Sequence, residues 1–455
     1  MERLISFLKR VIRIFSKNTI KQVLHIEPAI SDRMTAAIRL WDLLYRDKPP
    51  WLSEEVKSLN LAGAIASETA RLVTIEMHSD ISGSQRADFL NAAYQTVLAD
   101  VRNCTEYACA KGGLIFKPYA AENDIRVDYV QADSFIPTAF DTSGNITGAV
   151  FFDKRYVGDK IYTRMEYHSI QNTNYSIQNY AFVSSTETEV GKPVPLDSVD
   201  AWAGLQPEIN LTGVAAPLFA YFKMPMANTV DPSSPLGVSV YARAIPQIQE
   251  ADRQYSRFLW EFESGERALY VDEAAMRRDE EGRMILPDKR LYRLLNSGDD
   301  TLFQDWTPTL REGNILAGLD AILRRVEFNC GLAYGTLSDV QNTDKTAEEI
   351  RASKQRSYTH VADIQKALQS ALTKLAAAMD TLADLYDLAP AGEYDMTFEF
   401  DDSIVSDRQA EFAEKLQLVS SGIMQDWEFR MWYFGEDEET AKGNVSTEFD
   451  GVPEI

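Results

Sequence analysis

The longest helical pattern in the chain is TAEEIRASKQRSYTHVADIQKALQSALTKLAAAMDTLADLY, residues 346–386. Its apolar residues recur every three or four positions, as Val361, Ile364, Leu368, Leu372, Leu375, Met379, Leu382 and Tyr386. Thr346 and Glu349 have the spacing of a capping box, which starts helices. A helix of this length would span roughly 60 Å. We therefore predict a scaffold or interface helix rather than an active-site element.

Two shorter helical patterns precede the long one. The first covers residues 245–263 and the second ends near Cys330. Apolar residues of the second recur at helical spacing, as Ile315, Leu319, Ile322 and Val326. Residues 266–310, between the two helices, are predicted to form short mixed elements with a hairpin tip at 279–283. A polar loop over 334–344 connects the second helix to the long one.

The N-terminal half changes from a helical to a β-type pattern. Residues 27–111 have helical periodicity, with a predicted helix from Ala87 to Ala110 that the glycines after Lys111 end. Residues 112–225 contain short runs that alternate apolar and polar residues and are rich in Val, Ile, Tyr and Phe. This pattern is typical of strands. We predict a mostly antiparallel sheet there.

Short elements follow the long helix. Residues 394–400 alternate as a strand, and two short helices are predicted over 407–419 and 426–434. Residues 443–455 are expected to be weakly ordered. The predicted fold class is α+β.

Composition limits the function classes. The chain has 455 residues, of which 45% are hydrophobic and 25% charged, as in folded soluble proteins with two to three domains. Lys and Arg total 46 against 69 Asp and Glu, so the formal net charge is −23. Proteins that bind nucleic acid tightly are usually basic, so this acidic charge argues against an extended phosphate-binding face. No stretch reaches the roughly 18 uncharged apolar residues that a membrane span requires.

The three cysteines and the N-terminus offer no specific motif. Cys104, Cys109 and Cys330 lack a metal or redox spacing, and a reducing compartment fits them best. Residues 1–21 are predicted to form a basic amphipathic helix with no cleavage site after it. We interpret this helix as a docking arm on a partner subunit, with binding to a membrane surface as the alternative.

No catalytic constellation is specific enough to predict an enzyme. The phosphate-loop, HExxH, CxxC and GxSxG motifs do not occur. The histidines are scattered, as His25, His78, His168 and His360. Asp401-Asp402 and the acidic run 436–439 suggest either a metal site or acids at helix starts, and we favour the helix starts. No cofactor is predicted.

Four segments resemble the portal proteins of tailed bacteriophages, in the branch of long-tailed phages of Gram-positive-type hosts. They are GLAYGTLS (331–338), KTAEEI (345–350), FDDSIVSD with VSSGIM (400–407 and 419–424), and FG with EETA (434–435 and 438–441). The order helix, small insert, helix over 236–330 agrees with the family as well.

The resemblance implies a ring subunit with named parts. Residues 1–235 would form the wing, made of helices and a β-rich part. The stem helices would be 236–265 and 311–332, with a small α/β clip at 266–310 between them. Residues 333–345 would be the tunnel loop, 346–400 a long wing helix and strand, and 401–455 a short helical crown with the C-terminal tail.

The resemblance also implies the function and the partners. The family forms rings, usually of twelve subunits, at one capsid vertex, where DNA enters during packaging and leaves during ejection. The implied partners are other copies of the chain, the major capsid protein, the scaffolding protein, the terminase large subunit, a head-completion or adaptor protein, and double-stranded DNA, with no membrane. The implied location is the virion, and the host cytoplasm during assembly. Catalysis would belong to the terminase, so the chain itself is expected not to be an enzyme.

The expected DNA-facing residues lie in and beside the tunnel loop. They are Thr336, Ser338, Gln341, Asn342, Thr343 and Lys345. Arg351, Lys354 and Arg356 would contact either DNA or acids of the adjacent subunit. A basic lining repeated around a ring would retain DNA, because each phosphate contact adds to salt-dependent binding. We therefore expect the loop to contact DNA through backbone and small polar groups.

Two other function classes remain open from the sequence. One is a carboxylate-dependent hydrolase whose site is hidden among the many acids, and the other is another capsid-associated adaptor or scaffold protein. The mass of the purified assembly would separate a large ring from the small oligomers that are common among enzymes.

Overall fold

The computed structural model describes residues 17–171, 173–186, 191–272, 280–281, 292–295, 303–339, 347–400 and 408–445. The chain divides into two compact units, Met1–Phe398 and Glu399–Ile455. The helices of the first unit are α1 (Lys17–Leu24), α2 (Asp32–Tyr45), α3 (Leu61–Thr74), α4 (Gln85–Ala99), α5 (Val101–Lys111), α6 (Ile245–Ser264), α7 (Glu312–Cys330) and α8 (Ala347–Leu385). Those of the second unit are α9 (Arg408–Ser420), α10 (Asp426–Phe434) and α11 (Glu438–Asn444).

The strands form four sheets, and together with the helices they confirm the predicted α+β class. The strands are β1 (Met77–Ser82), β2 (Gly113–Ala121), β3 (Asp124–Gln131), β4 (Phe135–Phe140), β5 (Ile146–Val157), β6 (Lys160–Gln171), β7 (Asn174–Ser184), β8 (Lys192–Val194), β9 (Glu208–Thr212), β10 (Ala220–Lys223), β11 (Ala268–Asp272), β12 (Tyr292–Leu295), β13 (Phe303–Trp306) and β14 (Asp395–Phe400). Their orders are β10-β2-β3, β4-β5-β6-β7-β8 with β9 beside β7, β12-β11-β13, and β1-β14. Pairing in the first two sheets is antiparallel, as predicted for residues 112–225.

The long helix α8 forms one side of the main core. It packs against β2, β10 and α3. The stripe predicted from the sequence is buried there, at Ile364, Leu368, Leu372, Leu375, Met379 and Leu382. Each such side chain contributes about 1.5–3 kcal/mol when it leaves water. The amphipathic face therefore fixes α8 to the sheet rather than leaving it exposed.

Two local predictions differ from the structure. The helix predicted from Ala87 to Ala110 is broken at Asp100, whose N–H donates to the carbonyl of Val97 (3.1 Å). Both halves bury apolar residues in one core, so the helical spacing of apolar residues continues across the break and does not reveal it. β1 interrupts the region predicted as helical. Its partner β14 lies more than 300 residues away, so the local sequence pattern did not predict this strand.

Residues 266–310 are described in part. β11 and β12 lie on either side of the predicted hairpin tip at 279–283, and they pair in parallel. Residues 280–281 form a turn, as the predicted tip requires, and the residues on either side of this turn lie outside the described ranges. The third strand of this segment, β13, is antiparallel to β11.

The start of the described chain packs on its own sheet. Ile20, on α1, is buried against Val150, Met165 and Phe182 of the sheet that contains β5, β6 and β7. Residues 1–16 of the helix predicted to dock on a partner lie outside the described residues, so its docking stays a prediction.

The three thiols are expected to be unreactive in the folded protein. Cys104, Cys109 and Cys330 are free and buried. Burial raises the pKa of Cys104 to about 12, with a further contribution from Asp100, so little thiolate forms at neutral pH. A thiol reagent should therefore modify no cysteine of the native protein within minutes, and all three after denaturation. Rapid labelling of the native protein would contradict this expectation.

Candidate functional site

Helices α6 and α7 form an antiparallel pair. The side-chain amide of Gln254 donates to the carbonyl of Ile315 (3.2 Å), and that of Asn329 donates to Oε1 of Gln247 (3.2 Å). Since higher numbers on one helix face lower numbers on the other, the helices run in opposite directions. Leu319, Val326 and Cys330 on α7 and Ile248 and Ala251 on α6 supply the buried apolar residues.

An arginine–glutamate pair closes one end of the helix pair. The backbone N–H and Nε of Arg311 donate to Oε1 of Glu261 (2.9 and 3.1 Å), and a terminal guanidinium nitrogen donates to Oε2 (2.7 Å). The hydrogen bond from the Arg311 side chain lowers the pKa of Glu261. This bidentate geometry fixes the point where the chain enters and leaves the β11–β13 sheet.

The other end of the pair turns sharply at Gly331. Gly331 has a left-handed conformation (φ 73°), its N–H donates to the carbonyl of Phe328 (3.4 Å), and the N–H of Leu332 donates to the carbonyl of Glu327 (2.9 Å). These two bonds are a Schellman motif, which ends helices. Leu332 is buried, so the chain turns back toward α7 after the glycine.

The side chain of Glu327 organises the residues that follow. Its Oε1 accepts the backbone N–H groups of Gly335 (3.0 Å), Leu337 (2.6 Å) and Ser338 (2.9 Å). Its Oε2 accepts the hydroxyl of Ser338 (2.9 Å). Glu327 is 0% exposed. The first part of the polar loop is therefore wrapped around one buried carboxylate.

A second carboxylate of α7 holds the next residue of the loop. The N–H of Asp339 donates to Oδ1 of Asp320 (2.8 Å), and Asp320 also forms an ion pair with Arg324 (2.9 Å). Asp320 and Glu327 are separated by two helical turns. The loop from Gly335 to Asp339 therefore runs back along α7 toward the start of that helix.

Helix α8 contacts the same turn from another direction. The guanidinium of Arg356 lies over the rings of Phe328 (4.7 Å to the centroid) and Tyr334 (5.2 Å). One turn later, His360 packs against Gly331, where an added Cβ would lie 2.8 Å from the imidazole Cγ. Burial lowers the pKa of His360, so its ring is neutral at pH 7. The turn at Gly331 is thus enclosed by α7 and α8.

The predicted site residues fall into three groups. Thr336 donates its hydroxyl to the carbonyl of Ala333 (2.7 Å), and Ser338 is buried against Glu327. Lys354 is exposed on α8, Arg356 packs on the two rings, and the backbone of Arg351 lies in α8. Outside the described residues lie Gln341, Asn342, Thr343 and Lys345. Their contacts with DNA or with a neighbouring subunit stay predictions.

Sequence reasoning missed the two carboxylates that shape the loop. Asp320 and Glu327 each lie next to a buried apolar residue of α7, Leu319 and Val326. An acid at the border of an apolar stripe is a weak signal, since it occurs on most amphipathic helices. The spacing of seven residues between the two acids would have placed both on one helix face.

The described residues contain neither a cluster of metal ligands nor a helix that could span a membrane. Within the described ranges, no group of three or more His, Cys, Asp or Glu side chains is placed to hold a metal ion. Asp401-Asp402 lies outside these ranges. In the acidic run 436–439, Asp437 caps α11 by accepting the N–H of Thr440 (2.9 Å). No helix in the described part of the chain has the length and hydrophobicity to cross a bilayer.

Comparison with known proteins decides the family. The sequence model of the family described as "Phage portal protein, SPP1 Gp6-like" matches residues 46–442, which is most of the chain. The chain belongs to this family. The resemblance drawn from the four segments is therefore confirmed, and this portal protein is a structural component of a phage particle.

Solved structures and curated proteins add little to the portal assignment. A solved structure described as the neck of a native GTA particle, computed with C12 symmetry, is 10% identical. The alignment covers 89% of this chain and 94% of that one, with a TM-score of 0.37. None of the curated proteins compared with the portal protein matches it.

Proposed function

We propose that this portal protein forms a ring of twelve copies, the number usual in the family, through which double-stranded DNA passes during packaging and ejection. The observation that carries the proposal is the family match over residues 46–442. The helix pair α6–α7 supports it, since it places a compact sheet at one end and a polar loop at the other. In this proposal the chain acts by shape and has no catalytic activity of its own.

The parts of the ring follow the predicted division. Residues 1–235 and 346–400 would form the wing, the segments 236–265 and 311–332 the stem, and 266–310 the clip. The clip would meet the terminase large subunit and later the head-completion or adaptor protein, while the wing would meet the major capsid and scaffolding proteins. Residues 401–455 would form a short crown.

The charge of the chain supports a conduit that does not retain DNA. The formal net charge is −23 per chain, and like charge keeps phosphates at a distance over about one Debye length, ~8 Å at physiological ionic strength. The loop 333–345 would approach DNA with small polar groups, which form fewer lasting phosphate contacts than Lys or Arg. Lys345, Arg351, Lys354 and Arg356 would either touch DNA or pair with acids of the next subunit.

Deleting Gln341–Thr343 should impair DNA retention without preventing ring assembly. This deletion spares Gly335, Leu337 and Ser338, so the contacts with Glu327 remain. Native mass spectrometry should give the same ring mass as wild type, about 616 kDa for twelve copies of the 51.3-kDa chain. Particles assembled with the variant should contain less DNA.

The deletion has two outcomes that would contradict the proposal. Failure to form rings would mean that the loop belongs to the subunit interface. Normal DNA content in particles would mean that the loop has no part in DNA passage. A small oligomer of the wild-type protein, with no central hole in negative-stain images, would contradict the ring itself.

A further inference from the structure

Glu327 has an unusual position for a carboxylate. It is fully buried at the end of α7, where an ionised group is costly unless hydrogen bonds replace its water. Three backbone N–H groups and one hydroxyl supply these bonds, and all four come from Gly335, Leu337 and Ser338. One side chain thus determines the conformation of a loop segment that lies 8 to 11 residues later in the chain.

The donors around Glu327 form a concave arrangement of backbone N–H groups. Such arrangements bind anions, phosphate included, in many proteins. Here the anion is a side chain of the preceding helix, so the N–H groups of Gly335, Leu337 and Ser338 are already occupied. They are therefore not available to a phosphate of DNA.

We propose that Glu327 is the positioning residue of the tunnel loop. It fixes Gly335–Ser338 against α7, which determines where the chain leaves the stem, and it occupies amides that would otherwise bind phosphate. Asp320 extends the attachment by holding the N–H of Asp339. The part of the inference that concerns DNA rests on the proposed function, while the part that concerns loop conformation does not.

Three variants separate the charge, the hydrogen bonds and a general effect on the helix. Glu327→Ala removes all four hydrogen bonds. Glu327→Gln keeps an oxygen for the backbone N–H groups and offers Ser338 an amide group instead of a carboxylate oxygen, so it serves as the conservative variant. Glu312→Ala is the matched control, because Glu312 is an exposed acid in the first turn of the same helix.

Hydrogen exchange tests the conformation of the loop directly. In assembled rings, the amides of a peptide covering 333–339 should exchange at least about tenfold faster in Glu327→Ala than in wild type, because the lost bonds allow local opening. Glu327→Gln should stay within a few-fold of wild type, and Glu312→Ala should not differ. Wild-type exchange in Glu327→Ala would overturn the proposal. If that variant does not assemble, Ser338→Ala removes the hydroxyl that donates to Oε2 of Glu327 (2.9 Å) and accepts the N–H of Gly335 (3.2 Å). Exchange should then accelerate severalfold, and no acceleration there would overturn the proposal too.

DNA content of particles tests the functional part. Glu327→Ala should reduce it severalfold while ring mass stays that of wild type, and Glu327→Gln should restore most of it. Faster exchange with wild-type DNA content, alongside a loss in the Gln341–Thr343 deletion, would overturn the part of the inference that concerns DNA and leave the proposed function standing. If the Gln341–Thr343 deletion also leaves DNA content at the wild-type level, the proposed function of the loop is rejected. Hydrogen exchange would still decide whether Glu327 fixes the conformation of the loop.

Discussion

Replacing Glu166 with alanine is expected to destabilise the first unit by about 3–5 kcal/mol, the usual cost of leaving buried charges without their partner. Glu166 lies on β6, accepts hydrogen bonds from Lys117 (2.8 Å) and His168 (2.6 Å), and forms an ion pair with Arg164 (2.9 Å). Lys117 and His168 are themselves buried. Removal of the carboxylate would therefore leave the buried charge of Lys117 with only its longer ion pair to Asp128 (3.7 Å).

The hydrogen bonds around His168 fix its tautomer. The ionised carboxylate of Glu166 can only accept, so Nε2 of His168 carries the hydrogen and donates to it (2.6 Å). In the neutral ring Nδ1 then accepts the hydroxyl hydrogen of Tyr175 (2.7 Å), whose oxygen accepts the N–H of Leu218 (3.2 Å). Burial lowers the pKa of His168 more than Glu166 raises it, so the ring is neutral at pH 7.

The Glu166 prediction also has a pH signature. Burial alone would raise the pKa of Glu166, but Lys117, His168 and Arg164 together outweigh burial and hold the pKa well below its ordinary value. The group stabilises the fold at neutral pH, and this contribution is lost as the pH falls from its ordinary pKa toward the lower one in the folded state. Stability of the alanine variant should therefore decline less steeply in acid.

Thermal and denaturant unfolding of wild type and variant at one protein concentration would measure the effect, since assembly couples stability to concentration. Asp159→Ala is the matched control, because Asp159 is an exposed acid in the turn before the same strand. It should change stability by less than about 0.5 kcal/mol. Equal stability of Glu166→Ala and the control would mean that the buried pairs contribute nothing net.

Replacing Gly237 with alanine is expected to destabilise the first unit by about 3 kcal/mol, at the upper end for an inserted methyl group. An added Cβ would lie 2.1 Å from the carbonyl oxygen of Gly112 and 3.0 Å from the backbone nitrogen of Met224. Met224 N–H donates to that carbonyl (3.2 Å), so the methyl group would also disrupt a hydrogen bond. These atoms are backbone and cannot move aside by changing a rotamer.

The crossing of Gly112 and Gly237 joins the start of β2 to the segment before α6. Gly204→Ala is the control, since no atom lies within 4 Å of an added Cβ there. Melting temperature and soluble yield should fall for Gly237→Ala and not for Gly204→Ala. Wild-type stability of Gly237→Ala would show that the two segments can separate at little cost.

The sequence predicts those helices and strands whose residue pattern depends only on near neighbours in the chain. The stripe from Ile364 to Leu382 lies on one continuous helix, so its spacing alone was sufficient to predict the buried face of α8. β1 was missed because its pairing partner, β14, is remote and its own residues carry no strong alternation. The break at Asp100 was missed because both helices bury apolar residues in the same core.

The candidate site was predictable only in part, for a similar reason. The loop stood out by its polarity and by its place between two helices. Glu327 did not, because an acid on a helix becomes informative only when the backbone of Gly335 to Ser338 folds back over it. The structure thus adds the contact between Glu327 and the loop backbone, which the spacing of residues in the sequence does not reveal.

The pairing of β1 with β14 has a consequence for synthesis of the chain. The strand Met77–Ser82 leaves the ribosome early, but its partner Asp395–Phe400 follows only after more than 300 further residues have been translated. An unpaired edge strand is a template for aggregation. During synthesis β1 therefore stays without its pairing partner until Phe400 has been translated.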